Sequence, residues 1–327
     1  MDRRDFFKAG AGAMLASALP FNAFAEVERI APDYKSSLDL KRITIKVGAK
    51  KSFGALHISD SHITRVDRRD DERKMILAAK RSTIFQYSER YLWEMLRFAQ
   101  ENNLMVIHTG DMEDFVSESN LDIASCFYKE SGAIVAAGNH EYSLYVGEAK
   151  EDEAYKDISR AKVQAAYPND LTFYSKVVNG VNFVAVDDVY YNFTEKQRQL
   201  MEKEMEKGLP VVMLCHVPLY TPEHYAQNMK NNDGRCAYLT GVPYDLTRNY
   251  EHDDSRPKSE EWRNRSVQQR TDKATTDFIA WLKEQELLKA ILCGHCHEYF
   301  EERFSPTAMQ YTVGAGYKGQ AHLIKFV

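Results

Sequence analysis

Short apolar runs recur along this chain, and several of them stop abruptly at Asp, Asn or His. Phe53 to Ser59 stops at Asp60-Ser61-His62, Leu104 to His108 leads into Gly110-Asp111, and Ala133 to Ala137 leads into Gly138-Asn139-His140. Val211 to Leu214 is followed by His216, and Ala290-Ile291-Leu292 by Gly294-His295-Cys296-His297. Apolar runs of this length suit strands covered on both faces, each opening onto a polar loop at its C-terminal end. Between them lie helical patterns. Tyr91, Leu92, Met95, Leu96 and Ala99 share one face of a helix predicted over Ser88 to Glu101, which Asn102-Asn103 can stop. Thr194 and Gln197 form a capping box for a helix to about Lys207, closed by Gly208 and Pro210. A last helix is expected over Thr275 to Glu286. Met309 to Val313 and Ala321 to Phe326 then read as closing strands.

The ends of this pattern differ from its middle. Arg3-Arg4 and Lys8 precede a Gly/Ala-rich apolar run, Ala9 to Leu19, and then Ala23-Phe24-Ala25. That order is a signal-peptide pattern, with cleavage expected after Ala25, and the run is too short for a stable membrane anchor. The stretch Asp2 to Lys8 resembles a twin-arginine export signal, although Asp2 and Phe7 depart from the usual residues, so Sec export stays open. An exported protein, periplasmic or extracellular, is the expectation. Residues 26–50 read as a lead-in ending in the alternating strand Arg42 to Val47, and 51–327 as the domain proper. Within it Tyr220 to Lys273 is long, polar and weakly periodic, and is expected to shape a substrate pocket.

Composition changes this picture only by exclusion. A net charge of -5 offers no basic excess for phosphate-backbone contacts, so nucleic acid is not a favoured partner. Five cysteines, with one CxxC pair at Cys293 and Cys296 and no second, build neither a disulfide framework nor a zinc ribbon. They are expected as core fillers.

The chemistry sits at the strand ends. Asp60 and His62, two apart, can face one cation, and Asp111, Asn139, His216, His295 and His297 add donors that suit borderline divalent metals. Seven ligands serve two metals if one carboxylate bridges. Asp60-x-His62, Gly110-Asp111-x-x-Asp114, Gly138-Asn139-His140-Glu141, His216 and Gly294-His295-x-His297 resemble, in order, the five motifs of the calcineurin-like metallophosphoesterase superfamily.

The resemblance implies an α/β fold, a two-sheet β-sandwich flanked by helices with the site at the strand ends. It implies that Asp60, His62, Asp111 and His297 hold one metal, and Asp111, Asn139, His216 and His295 the other. The metals would be Fe, Mn, Zn or Co, with a bridging hydroxide as the nucleophile. His140, following a ligand, would protonate the leaving oxygen, and Asp114 would orient it. Phe115 stands where the protein Ser/Thr phosphatase branch has Arg, and Glu113-Asp114 where the purple acid phosphatases have a ligand Tyr. Both branches are disfavoured. Three functions remain: hydrolysis of a small phosphomonoester or phosphodiester, a nuclease or nucleotide pyrophosphatase, and a non-catalytic metal-binding or interaction protein on the same scaffold.

Overall fold

The computed structural model describes residues 38–147, 152–248, 250 and 269–327. The signal peptide, most of the lead-in, His252 and much of the polar segment after Arg248 lie outside them. Along the chain run β1 (Asp39–Ile45), β2 (Phe53–Ile58), α1 (Glu72–Arg81), α2 (Ser88–Glu101), β3 (Met105–His108), α3 (Glu118–Ser131), β4 (Ile134–Val135) and α4 (Glu153–Ala166). The second half holds β5 (Phe173–Val178), β6 (Val181–Val186), α5 (Glu195–Met205), β7 (Val211–Leu214), α6 (Pro222–Asn231) and the one-turn α7 (Tyr244–Thr247). It closes with α8 (Lys273–Lys283), β8 (Leu288–Cys293), β9 (Phe300–Arg303), β10 (Met309–Thr312) and β11 (Gln320–Phe326). None of the described helices is long and apolar enough to cross a membrane.

The strands form two sheets, ordered β1-β11-β2-β3-β4 and β5-β6-β7-β8-β10-β9. In the first, β2, β3 and β4 run parallel, while β11 is antiparallel to β2 and parallel to β1. In the second, β6, β7, β8 and β10 run parallel between antiparallel edge strands. Successive residues of a strand point to opposite faces. Phe53, Ala55, Phe183, Val212, Leu214, Ala290, Leu292 and Phe326 therefore meet between the sheets in one buried cluster. Phe53, Phe183 and Phe326 pack ring to ring, with centroids 5.0 to 6.2 Å apart. The alternate residues face outward onto helices: Leu56 and Ile58 onto α2 and α3, and Val211, Met213 and Ile291 onto α5 and α8. The architecture is the expected two-sheet α/β sandwich flanked by helices, and coverage on both faces explains the uninterrupted apolar runs.

Several expected elements appear with shifted ends. Helix α2 spans the expected residues, and α5 carries the Thr194/Gln197 capping box with both reciprocal hydrogen bonds. Strand β1 starts at Asp39, ahead of the Arg42 read from alternation, because its register partner β11 extends from Gln320 to Phe326. The polar Tyr220–Lys273 segment is not structureless in its described part, since Pro222–Asn231 is helical with Thr221 as N-cap and Pro at its start. Cys293 is a core filler, with its sulfur 3.6 Å from that of Cys215, but Cys296 is only half-buried and lines a cleft.

Candidate metal site

The parallel strands of both sheets end at one edge, and the loops leaving them supply the site. The backbone there is unusual. Asp60, His62, Asp111, His295 and His297 have φ of 54°, 47°, 55°, 67° and 56°, in the left-handed region that non-glycine residues seldom adopt. Each such residue costs of order 1 kcal/mol or more, and such conformations gather where side chains must be aimed at a functional centre. Gly138 is held by the same crowding, since a Cβ there would collide with the Asp111 carboxylate and main-chain nitrogen.

Two clusters gather the expected ligands, and a third, of His62, Asp114 and His140, adjoins them. Ligand atoms of Asp60, His62 and His297 lie within 4.8 Å of one another, as do those of Asp111, His216 and His295. Asp111 sits between the clusters: its Oδ2 is 3.2 Å from His216 Nε2 and 3.7 Å from His62 Nε2, while its Oδ1 accepts the His140 main-chain N–H at 2.9 Å. Asn139 lines the same cleft as Asp111, His295 and His297, and its buried Oδ1 has no hydrogen-bond partner.

The hydrogen bonds behind the rings test whether a cation fits. His216 Nδ1 lies 2.6 Å from the Thr109 carbonyl, which can only accept, so Nδ1 carries a proton and Nε2 is the nitrogen turned to the site. His62 Nδ1 faces Asp114 Oδ1 at 3.1 Å, which turns its Nε2 to the site in the same way. These nitrogens confront others: His62 Nε2 is 3.1 Å from His297 Nε2, and His216 Nε2 is 3.1 Å from His295 Nδ1. Asp60 Oδ1, 3.2 Å from His297 Nε2, also lacks a hydrogen-bond partner. Ring nitrogens and carboxylate oxygens gathered this closely need positive charge among them, whether protons or metal ions. A histidine that donates its other N–H to a carbonyl or carboxylate is the usual arrangement of a metal ligand. Burial disfavours a proton on His216, yet Asp111 and Asp60 lift its ring to about 10, and the field that would hold a proton there will equally hold a metal ion. The donor set of imidazoles, carboxylates and one amide fits.

His140 differs from these rings. Its Nδ1 donates to the Asp114 main-chain carbonyl at 2.7 Å, so Nε2 remains for the cleft that His140 lines. Burial works against its charged form, but Asp111 and Asp114 hold its pKa above the usual histidine value. The Asp114 carboxylate has closer partners than His140. It lies 3.4 Å from His140 Nδ1 and instead bonds His62 and the Arg81 guanidinium, Nε at 2.6 Å and Nη2 at 2.8 Å. Asp114 thus orients His140 through its main chain and His62 through its side chain. Against burial, Arg81 and His62 keep its carboxyl well below the usual range.

Arg81, on α1, went unread in the sequence, because nothing local marks a contact made 33 residues away. Two other supports were equally hidden. Glu141 accepts the main-chain N–H groups of Asp111, Met112 and Gly138 at 2.7 to 2.8 Å, tying two ligand loops together. Beneath it the Tyr167 hydroxyl lies 2.6 Å from Glu113 and 3.0 Å from Glu141. With one proton of its own, Tyr167 needs one of those carboxyls protonated, and burial together with Glu141 pushes Glu113 well up. Asp188 accepts the main-chain N–H groups of His216 and Val217 and the Thr240 hydroxyl, which positions the His216 loop.

A comparison with curated protein sequences finds no match. Among solved structures the chain is similar to a dimetal phosphatase from Danio rerio, at 13% identity over 81% of this chain and 88% of that one, with a TM-score of 0.49. It is also similar to a phosphopantetheinyl hydrolase from Mycobacterium tuberculosis (12% identity, 84% and 91% covered, TM-score 0.38) and a 5'-nucleotidase from Candida albicans (12%, 86% and 48%, TM-score 0.40). The sequence profile described as calcineurin-like phosphoesterase matches residues 55–299, a span that contains every ligand candidate above, and the chain belongs to that family.

Proposed function

We propose that this chain is a metal-dependent hydrolase of small phosphomonoesters or phosphodiesters that uses two metal ions. The observation that carries the reading is the two pairs of facing imidazole nitrogens, His62 with His297 and His216 with His295, joined by Asp111. Two bound metal ions would acidify a water to serve as nucleophile and neutralise charge on the phosphoryl group. The residues do the rest. Asp60, His62 and His297 would hold one ion, Asn139, His216 and His295 the other, and Asp111 both. His140, raised above the usual histidine value and anchored at Nδ1, offers a proton from Nε2 to the departing oxygen. Asp114 and Arg81 hold His62 in its ligand tautomer. His140, in the cleft but outside the proposed ligand set, favours catalysis over a purely structural metal centre.

Mature protein reconstituted with Fe, Mn, Zn or Co and assayed on aryl phosphomonoesters and phosphodiesters tests the reading. Release of phenolate with about two metals per chain is expected. A chain that binds two metals and cleaves neither ester would refute it.

A further inference from the structure

The cleft above the ligands, about 260 Å³, is small for a ligand site, since such pockets usually span about 300–1,000 Å³. One wall is Asp111, Asn139, His140, His295 and His297. The other is Asn228, Asn231 and Asn232 at the end of α6, with Tyr238, Cys296 and Glu298. Among the described residues this outer wall has no Lys or Arg, and Glu298 adds a carboxylate.

The hydrogen bonds decide what the wall offers. Asn228 donates from Nδ2 to the Ala237 carbonyl at 2.6 Å and to Cys296 Sγ at 3.3 Å, which fixes its amide orientation and leaves Oδ1 as an acceptor. Asn231 donates to Glu298 Oε2 at 2.8 Å, and Asn232 to the Asn228 carbonyl at 2.9 Å. Both Asn228 N–H groups are thus engaged and Asn231 Oδ1 accepts from Gln227, so the acceptors the wall leaves to a ligand are Asn228 Oδ1 and the Glu298 carboxylate. Helix α6 is held in this place by a buried network. His224 Nδ1 faces Glu302 at 3.0 Å, Thr221 donates to Glu302, and Gln310 donates to Glu302 at 2.8 Å.

We infer that the outer wall is the leaving-group subsite and selects phosphate esters of small, donor-rich alcohols, hydroxylated or aminated, that carry no negative charge of their own. The inference rests on the hydrolase reading above and narrows it. A second phosphate or a carboxylate on the leaving group would meet Glu298 and find no cation among the described lining residues. That disfavours pyrophosphate bonds as substrates.

The test compares three small esters with metal-loaded protein: glycerol 2-phosphate, O-phosphoethanolamine and 2-phosphoglycolate. We expect kcat/KM for the first two to exceed that for phosphoglycolate at least about tenfold, the effect of one unit charge across a half-exposed cleft. Glu298→Gln should shrink that ratio and Glu298→Lys should bring phosphoglycolate level or ahead, with unfolding midpoints confirming that both variants fold. Calorimetric affinities for the three esters should rank in the same order in the slow His140→Ala protein. Equal rates or affinities for phosphoglycolate, or a ratio that ignores Glu298, would overturn the inference. Aryl phosphate run alongside separates the two readings: aryl cleavage without the expected ranking defeats only the subsite, whereas no cleavage of any ester defeats the hydrolase reading, and the affinities still judge the subsite.

Discussion

Replacing Arg81 with Met removes the charge that faces Asp114 while keeping most of the side-chain stem. Asp114 is fully buried, and Arg81 reaches it with two short hydrogen bonds although its own side chain is 20% exposed. Removing one partner of a buried ion pair costs about 3–5 kcal/mol, because the other charge is left without compensation. The exposure of Arg81 and the surviving His62 contact reduce this, so a loss of about 2–4 kcal/mol is expected. For a chain of this size that lowers the unfolding midpoint by roughly 3–6 °C. The His62 ring also loses the group that fixes its tautomer, and metal affinity should fall about 10–100-fold, the usual effect of removing a support behind a metal ligand. Urea unfolding of a double-mutant cycle with Asp114→Asn isolates the pair from other consequences. Arg65→Met serves as the control, since the Arg65–Glu89 pair is exposed and should contribute about 0–1 kcal/mol. An Arg81→Met cost no larger than that of Arg65→Met, or unchanged metal affinity, would refute the reasoning.

His140→Ala should keep its metals and lose about 10²–10⁴-fold in kcat, as removal of a general acid does, whereas Asp111→Ala should lose metal and activity together; metal content after dialysis with rates on aryl phosphate checks both, and equal residual rates would undo the division of roles. His322, buried between β2 and Tyr299, is pushed down to about 3, chiefly by burial and then by Lys41. The folded chain therefore keeps it neutral while the unfolded chain protonates it near 6.5, so its contribution is complete above that pH and is lost as pH falls toward 3. Between pH 7 and pH 5 His322→Leu should lose less stability than the parent by up to about 2 kcal/mol, measured as urea midpoints, and parallel slopes would count against it. Replacing Arg3 and Arg4 with Lys in the full chain should block export by the twin-arginine route, read as accumulation of unprocessed protein; undiminished export would assign the Sec route.

Much of the fold was legible because the sandwich buries its strands on both faces. Such strands must be apolar throughout, and a polar residue at the end of one is then conspicuous, which is how Asp60, Asp111, Asn139, His216 and His295 stood out. Helix α3 was missed for the converse reason. Its buried residues Leu121, Ala124, Phe127 and Tyr128 are diluted by Ser, Asn, Asp and Glu, and its strongest signals, the Ser117 cap and the left-handed Gly132, read equally well as turn residues. The left-handed backbone at five ligand positions leaves no trace in residue type, because Asp and His were chosen there for their donors and the conformation is imposed by the surrounding packing.

The same reasoning locates specificity. A residue chosen to meet a substrate is freed from the periodicity that marks a buried face, so a pocket wall should lie where the pattern is weakest. The described part of Tyr220–Lys273 fits this: α6 buries only His224 and Asn228, both polar, and presents Asn231 to the cleft. Polar residues buried in this way are stable only when their hydrogen bonds are satisfied. Glu302, on strand β9, meets that need at His224 Nδ1, and Ala237 meets it for Asn228. The ligand motifs, read alone, name the family. In the proposed subsite the choice of leaving group would rest on Asn228 and Glu298, whose positions depend on contacts that only the folded chain brings together.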